Sequence, residues 1–302
     1  MADFRTSQMD KIKKFFRELE DICSRESIDD LTFRERLKAG FELMLKTIKC
    51  ADFKFDGSFA PIHGRCPYQC EYCYAHLPYQ DISEADKHYN LRSVDYRGPL
   101  CLNEEAFNAD LQEGKFIIVS MGNDLWASST KFIDRTLDFL SGFPNRYNFL
   151  TKNPARFEKF LNKIPQGSML SCTIETDAYQ TPGIYKAPSP AVRAEAFKRL
   201  DWPCKQLVLM PVLPFNSQAF FDMICQVNPD YLSFNAFDAR PWAPHPSDRQ
   251  ILKLIDLIKM IVKYTGIKFV GDIFDTSLYD GRNLPGALGR LKEIDKSCRS
   301  SA

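Results

Sequence analysis

The sequence lacks the features of several protein classes. Its 302 residues contain no run of about 18 apolar residues, so we expect no membrane-spanning helix. The first thirty residues mix charged with apolar side chains and hold no continuous apolar segment, so we expect no secretory signal. Neither sign of charge is in excess, because 40 Lys and Arg residues against 39 Asp and Glu residues give a net charge of +1. The strongest electrostatic argument for a protein that coats nucleic-acid duplexes is therefore missing.

Cysteine, in contrast, is frequent, with ten residues in the chain. Without a secretory signal we expect a cytoplasmic, reducing environment, in which disulfides rarely persist. Seven of the ten cysteines are far apart in the sequence, mostly among apolar neighbours. The other three, Cys66, Cys70 and Cys73, lie together and need a separate explanation.

The spacing of apolar residues divides the chain into three parts. Residues 1–50 have the period of two amphipathic helices, which we expect to pack on the core as an N-terminal helical extension. From residue 51 to 280, short apolar runs alternate with capped helical segments, which predicts βα units and a mostly parallel sheet. We expect residues 281–302 to form a C-terminal helical tail. The predicted strands lie in 52–60, 116–119, 147–150, 169–174, 207–213, 231–234 and 267–270.

This series of units predicts an α/β fold, a complete or partial (β/α) barrel. Helix-start signals separate the predicted strands at Asn153-Pro154, Ser189-Pro190, Ser217 and Ser247. The alternative is an open doubly wound sheet, but the first predicted strand is not followed by the glycine-rich G-x-G-x-x-G turn of that fold. Residues 76–102 interrupt the pattern, and a loop of that length is more often functional than idle.

Three thiols follow the first predicted strand, with the spacing Cys66-x3-Cys70-x2-Cys73. So dense a set of soft donors selects zinc or an iron–sulfur cluster over hard cations. A structural zinc site needs four ligands, and His63 or His76 would have to be the fourth. A [4Fe–4S] cluster normally takes four thiolates, so three thiolates leave one iron open to another ligand. The residues alone leave both kinds of site open.

This spacing, with the aromatic Tyr72 directly before the third cysteine, resembles the signature of the radical S-adenosylmethionine (SAM) superfamily. The resemblance implies that Cys66, Cys70 and Cys73 bind a [4Fe–4S] cluster, whose open iron chelates the amino and carboxylate groups of S-adenosyl-L-methionine. It also implies reductive cleavage of the sulfonium bond to a 5′-deoxyadenosyl radical, with the protein supplying orientation. A reductant such as a flavodoxin or ferredoxin is then the expected partner.

Polar residues at the ends of later strands extend the resemblance. Gly122-Asn123-Asp124 is similar to the segment that holds the SAM amino group in the superfamily; the alternative is a glycine turn with a helix-capping Asp. Thr151-Lys152 resembles the spore photoproduct lyase-like branch, including its phage-type members, in which the lysine pairs with the SAM carboxylate; the alternative is a solvated lysine. Side-chain alternation then places Ser171, Thr173 and Glu175 on one face of a strand, where Thr173 or Glu175 would meet the SAM ribose.

The resemblance implies an enzyme of lyase or oxidoreductase type with a nucleic acid or nucleotide as substrate. The chain departs from the branch where that branch places a hydrogen-donating cysteine, since Gly122 and Asn123 stand there and Cys172 is expected to face the core. A peptide or small metabolite is therefore the alternative substrate. In a different class, the alternative is a zinc-stapled binding module. Weaker site candidates are Asp272, Asp275 and the loop 235–245, which would otherwise be caps and a packed lid.

Overall fold

The computed structural model describes residues 55–73, 98–120, 122–178 and 186–234, together with residues 250, 253–254, 257–258, 261–262, 265 and 267–270. The helical extension predicted for 1–50, the tail predicted for 281–302 and most of the loop 76–102 lie outside these residues. The three-part domain division therefore stays a prediction.

Nine strands are described: β1 (Gly57–Phe59), β2 (Ile62–His63), β3 (Cys101–Leu102), β4 (Phe116–Val119), β5 (Arg146–Thr151), β6 (Met169–Thr173), β7 (Lys205–Leu209), β8 (Tyr231–Phe234) and β9 (Lys268–Val270). Seven of them form one parallel sheet in the order β1-β4-β5-β6-β7-β8-β9. The register aligns strand ends, for example Phe59 with Val119 and Thr151 with Cys172. Each of the seven predicted runs overlaps one of these strands, which confirms the parallel sheet.

The order of strands decides between the predicted architectures. A doubly wound sheet reverses its strand order at a switch point, whereas this order follows the chain without reversal. Right-handed crossovers that all advance in one direction place the helices on one face of the sheet. In the described part of the chain β1 and β9 are edges, so the sheet is a partial barrel. The partial (β/α) barrel is confirmed, the described residues form no closed barrel, and the doubly wound sheet is wrong.

Between residues 98 and 234, the described part of the chain has three α-helices and three 3₁₀ helices. The α-helices are α1 (Thr130–Leu140), α2 (Pro190–Arg199) and α3 (Ser217–Val227), and the 3₁₀ helices are Glu104–Asn108, Leu125–Ala127 and Pro154–Phe160. The cap of α2 is Ser189, as predicted. The predicted cap of α3 was Ser217, but the cap is Asn216, whose side chain accepts hydrogen bonds from two backbone amides. The helix predicted after Asn153 is a 3₁₀ helix, and α1 was not predicted. The described residues between 250 and 265 are helical, and Ser247 lies outside them.

The two faces of the sheet differ as side-chain alternation predicts. Cys172 and Ile174 belong to the large apolar core on one face. On the other face the Ser171 hydroxyl lies within hydrogen-bond distance of two amide oxygens, Oδ1 of Asn148 in β5 at 2.6 Å and Oε1 of Gln206 in β7 at 2.8 Å. The inner face of the partial barrel therefore carries a buried polar layer. None of the described helices has the length and hydropathy needed to cross a bilayer.

Candidate functional site

The three clustered cysteines lie on a tightly turned loop, residues 64–73, which we call the cysteine loop. Gly64 opens it at φ +92°, and a side chain there would place its Cβ 2.1 Å from the carbonyl oxygen of Pro99. Inside the loop the amide of Gln69 donates to the Cys66 carbonyl at 3.3 Å, and the amide of Cys73 donates to the Cys70 carbonyl at 3.0 Å. These turns bring the three thiols into one region beside the ends of the parallel strands, the carboxyl edge of the sheet.

All three cysteines contribute to one small packing cluster that is separate from the main core. Cys70 is 6% exposed, and Cys66 and Cys73 are half-buried against it. The other members come from the cysteine loop, the 3₁₀ helix after β4 and two segments beyond β6: Tyr68, Tyr72, Ala127, Ala187 and Leu213. The fold therefore gathers the cysteine loop against the ends of β4 and β6.

The surroundings of these thiols favour their protonated form while no metal is bound. Burial, followed by the nearby Asp124 carboxylate, raises the pKa of Cys66 to about 12, and burial also raises the pKa of Cys70. Metal binding would therefore release protons. Among the described residues, no three His, Cys, Asp or Glu side chains are grouped closely enough to hold a single metal ion. A [4Fe–4S] cluster does not require such convergence, because each thiolate binds a different iron atom.

The segment after β4 holds buried polar groups that lack protein partners. Ser120 and Gly122 have φ values of +63° and +83°, so the backbone leaves the strand in a left-handed turn. Asn123 is only 6% exposed, yet its side-chain oxygen and nitrogen find no hydrogen-bond partner in the part of the chain that the structure describes. The buried Ser120 hydroxyl also lacks a hydrogen-bond partner among the described residues. Orphaned buried polar atoms are costly, so their presence here indicates a position that a polar ligand completes.

Asp124, in contrast, is fully used within the protein. Its carboxylate accepts from the Trp126 amide at 3.0 Å, from the Thr151 hydroxyl at 2.9 Å and from the Lys152 amide at 2.8 Å. The first of these contacts caps the 3₁₀ helix Leu125–Ala127, and the other two tie the end of β5 to the end of β4. The Asp124 carboxylate is therefore a helix cap, as the alternative interpretation of this segment predicts. Gly122 and Asn123 remain as the candidate ligand-binding part of the segment.

Lys152, Glu175, Tyr72 and Arg193 form a buried group, which we call the Glu175 network. The Tyr72 hydroxyl and the Lys152 ammonium both contact Oε1 of Glu175. Arg193 of α2 lies 2.7 Å from Oε2 of Glu175 and donates to the Thr173 carbonyl at 2.6 Å. The Lys152 ammonium also lies over the Tyr72 ring, 5.2 Å from its centre. The alternative of a solvated lysine is therefore wrong.

Electrostatics make Glu175 a stable anion. Burial acts to raise the pKa of Glu175, but the Arg193 guanidinium and the Lys152 ammonium outweigh burial and lower that pKa to about 2. Glu175 in turn raises the pKa of Arg193 against the effect of burial. The Glu175 network therefore contains two cations and one anion, and the Asp124 carboxylate, which also interacts with Lys152, is a second anion beside the cysteine loop.

The structure brings most of the predicted site residues to one edge of the sheet. Each of these residues follows or ends one of four strands of the parallel sheet. They are Cys66, Cys70, Tyr72 and Cys73 after β1, Gly122, Asn123 and Asp124 after β4, Lys152 after β5, and Thr173 and Glu175 at or after the end of β6. His63 lies in β2, whereas His76, Asp272, Asp275 and the loop 235–245 lie outside the described residues. Sequence reasoning missed Arg193. Its one sequence signal is its spacing, three residues after Pro190 and four before Phe197, on the buried stripe of α2.

Comparisons with known proteins find similarity at the level of structure. No family profile matches the sequence, and no curated protein matches it. A cysteine-to-serine variant of spore photoproduct lyase aligns with a TM-score of 0.50 at 12% identity, over 73% of this chain and 80% of that chain. A variant with bound AdoMet and dinucleoside spore photoproduct gives 0.48 at 14% identity, over 74% and 80%. The chain therefore shares its partial-barrel fold with spore photoproduct lyase.

Proposed function

We propose that this chain is a radical SAM enzyme in which Cys66, Cys70 and Cys73 bind a [4Fe–4S] cluster. The observation that carries the proposal is the position of the cysteine loop. Its three thiols share one packing cluster at the carboxyl edge of a partial barrel, which is the edge where such folds hold their reacting groups. Three thiolates leave one iron available to a further ligand.

The polar groups next to the cysteine loop fit an amino-acid ligand such as the methionine part of SAM. The orphaned amide of Asn123 and hydroxyl of Ser120 offer hydrogen bonds that the described protein leaves unmade. The Lys152 ammonium, at the end of β5 beside the cysteine loop, is a cation that suits a carboxylate. When bound, the reduced cluster would supply the electron that cleaves SAM and starts radical chemistry at an unactivated C–H bond.

The substrate that we favour is a nucleic acid or nucleotide, and a flavodoxin or ferredoxin is the proposed reductant. The resemblance of Thr151-Lys152 to the spore photoproduct lyase-like branch supports this substrate class. A peptide or small metabolite is the second candidate. It is favoured by the net charge of +1, which gives little attraction for a phosphate backbone.

Anaerobic reconstitution with iron and sulfide tests the cofactor. The wild-type chain should become brown, bind about four irons and release 5′-deoxyadenosine from SAM after reduction. Cys70→Ala should lose the chromophore and the nucleoside. Cys204→Ala is the matched control, because Cys204 is a half-buried cysteine directly before β7, at the opposite edge of the sheet, and should change neither.

A colourless wild-type protein that retains stoichiometric zinc under the same treatment would overturn the proposal in favour of a zinc-stapled binding module. For the substrate, the yield of 5′-deoxyadenosine should be compared with DNA, nucleotides and peptides present. A rise in the yield of 5′-deoxyadenosine only with peptides would favour the second substrate class over the first.

A further inference from the structure

Arg193 of α2 is an unusual residue for the buried side of a helix. It is 0% exposed and points away from solvent toward the end of β6. Burying a guanidinium carries a large desolvation cost, which an apolar side chain of similar size would avoid. Helix anchoring alone therefore does not account for an arginine at this position.

The contacts of Arg193 lead to the cysteine loop through one carboxylate. Its guanidinium donates to the Thr173 carbonyl and lies 2.7 Å from Oε2 of Glu175, an ion pair that attracts this carboxylate toward α2. Oε1 of the same carboxylate then accepts from Tyr72, which lies between Cys70 and Cys73 on the cysteine loop. Lys152, at the end of β5, contacts the same oxygen.

A second arginine on the same helix gives the comparison. Arg199 also faces a glutamate, Glu195, at 3.8 Å, but both side chains are more than half exposed. An exposed pair of this kind contributes little to stability and orients nothing. Of these two arginines, only Arg193 is connected to the cysteine loop through its carboxylate partner.

We propose that Arg193 is a positioning residue, which acts through Glu175 and the Tyr72 hydroxyl to hold the cysteine loop in place for its cofactor. Glu175 is then an orienting anion for Tyr72 and Lys152, a different role from the contact with the SAM ribose that the sequence predicts. The part of this inference that concerns the cofactor rests on the proposed function. The part that concerns the loop does not, because it can be measured without iron.

Hydrogen exchange of the full chain without metal tests the loop. In Arg193→Met and in Tyr72→Phe, the amides of residues 64–73 should exchange about tenfold faster than in the wild type, since each change removes a charge-assisted contact. Combining the two changes should add less than twofold to Tyr72→Phe alone, because the phenol is the link through which Arg193 acts. Arg199→Met should leave this segment unchanged, and α3 should keep its protection in every variant.

Additive effects of Arg193→Met and Tyr72→Phe, or unchanged exchange at 64–73 in Tyr72→Phe, would overturn the positioning role. Should Arg193→Met not fold, Tyr72→Phe and Glu175→Gln decide the question by the same measurement. After reconstitution, the electron paramagnetic resonance spectrum of the reduced cluster should change in Tyr72→Phe and not in Arg199→Met. If the wild type binds no iron, the proposed function fails, while the exchange data still decide the role of Arg193.

Discussion

Glu175 illustrates how single residues divide between structure and chemistry in this site. Its carboxylate, buried and held by Arg193, Lys152 and Tyr72, is a stable anion that few changes of pH can alter. Asn123 follows β4, which is two strands from β6 in the sheet, and it is buried with its amide atoms unsatisfied among the described residues. The charge of Glu175 is compensated by protein cations, whereas both side-chain amide atoms of Asn123 lack a hydrogen-bond partner among the described residues.

The folded-state pKa of Glu175 predicts a pH dependence of stability. Because this pKa is about 2, below the ordinary 4.5, the stabilisation is complete above pH 4.5 and is lost as pH falls toward 2. Glu175→Gln should lower the free energy of unfolding at pH 7 by about 3–5 kcal/mol, since it leaves buried cations without their anion. Denaturant unfolding between pH 2 and 7 measures this, and the difference between wild type and variant should shrink below pH 4.5.

Burial raises the pKa of Asp124, so ionisation of Asp124 lowers the free energy of unfolding as pH rises, the opposite of the effect of Glu175. Asp124 is present in both proteins, so its contribution cancels in the difference between wild type and variant. Glu195→Gln, at an exposed position of α2, is the control and should leave the profile unchanged. A wild-type-minus-variant difference that stays constant across the acid range would contradict the role of Glu175.

Asn123→Ala should separate ligand binding from stability. Removing an unsatisfied buried amide should change the unfolding free energy of the metal-free protein by less than about 1 kcal/mol. The same change should weaken SAM binding to the reconstituted protein about tenfold, because two hydrogen-bonding atoms are lost from the site. Thermal unfolding and titration calorimetry measure the two effects.

Asn145 provides the matched control for this experiment. Its side chain accepts from the Lys115 amide and donates to the Gln112 carbonyl, far from the cysteine loop. Asn145→Ala should therefore destabilise the fold by about 1–3 kcal/mol and leave SAM affinity unchanged. Identical behaviour of the two variants would show that Asn123 is an ordinary structural residue.

At the scale of secondary-structure elements, α1 is a helix that the sequence analysis did not predict and that packing against the core stabilises. Ser129 caps this helix by accepting from the Phe132 amide, and the helix buries Ile133, Leu137 and Leu140 completely. These residues form a stripe three and four positions apart, which is the spacing of a helix packed on a sheet. α1 therefore packs on the sheet, with Phe139 stacked on Phe59 of β1 and the Leu140 carbonyl accepting from the Tyr147 hydroxyl of β5.

Leu137→Ala should destabilise the protein by about 2–5 kcal/mol, since it leaves a cavity under α1. Iron content after reconstitution should be unchanged, because Leu137 belongs to the main core and not to the packing cluster of the cysteine loop. Chemical denaturation measures the loss. Val192→Ala on α2, where the side chain is 57% exposed, should stay within about 0.5 kcal/mol of wild type.

At the scale of the whole molecule, charge limits how a nucleic-acid substrate would be bound. A net charge of +1 provides no general attraction for a polyanion. Non-specific binding to duplex DNA should be weaker than about 10⁻⁴ M near 0.15 M salt, with a shallow dependence on salt concentration. Fluorescence anisotropy with a labelled duplex measures this. Micromolar binding with a steep salt dependence would reveal a concentrated basic surface that the net charge conceals.

Much of the fold follows from local patterns. The apolar runs predicted the strands because central strands such as β4 and β6 are buried on both faces. Ser189-Pro190 predicted the start of α2 because it supplies the cap and the first-turn proline. α1 was missed, although Ser129 and the apolar stripe that follows it were available signals. The choice between a complete and a partial barrel was also beyond the sequence, since the pairing of edge strands depends on distant parts of the chain.

The sequence by itself determined the order of βα units and placed three soft sulfur donors on one short loop, because both depend on residues near one another in the chain. Only the tertiary structure decided which polar residues satisfy each other. Tyr72 and Glu175 meet across 103 positions, and Asp124 and Thr151 across 27. Periodicity carries no information about such contacts, so Asp124 became a cap, Lys152 became the partner of Glu175, and Arg193 emerged as its buried counterion.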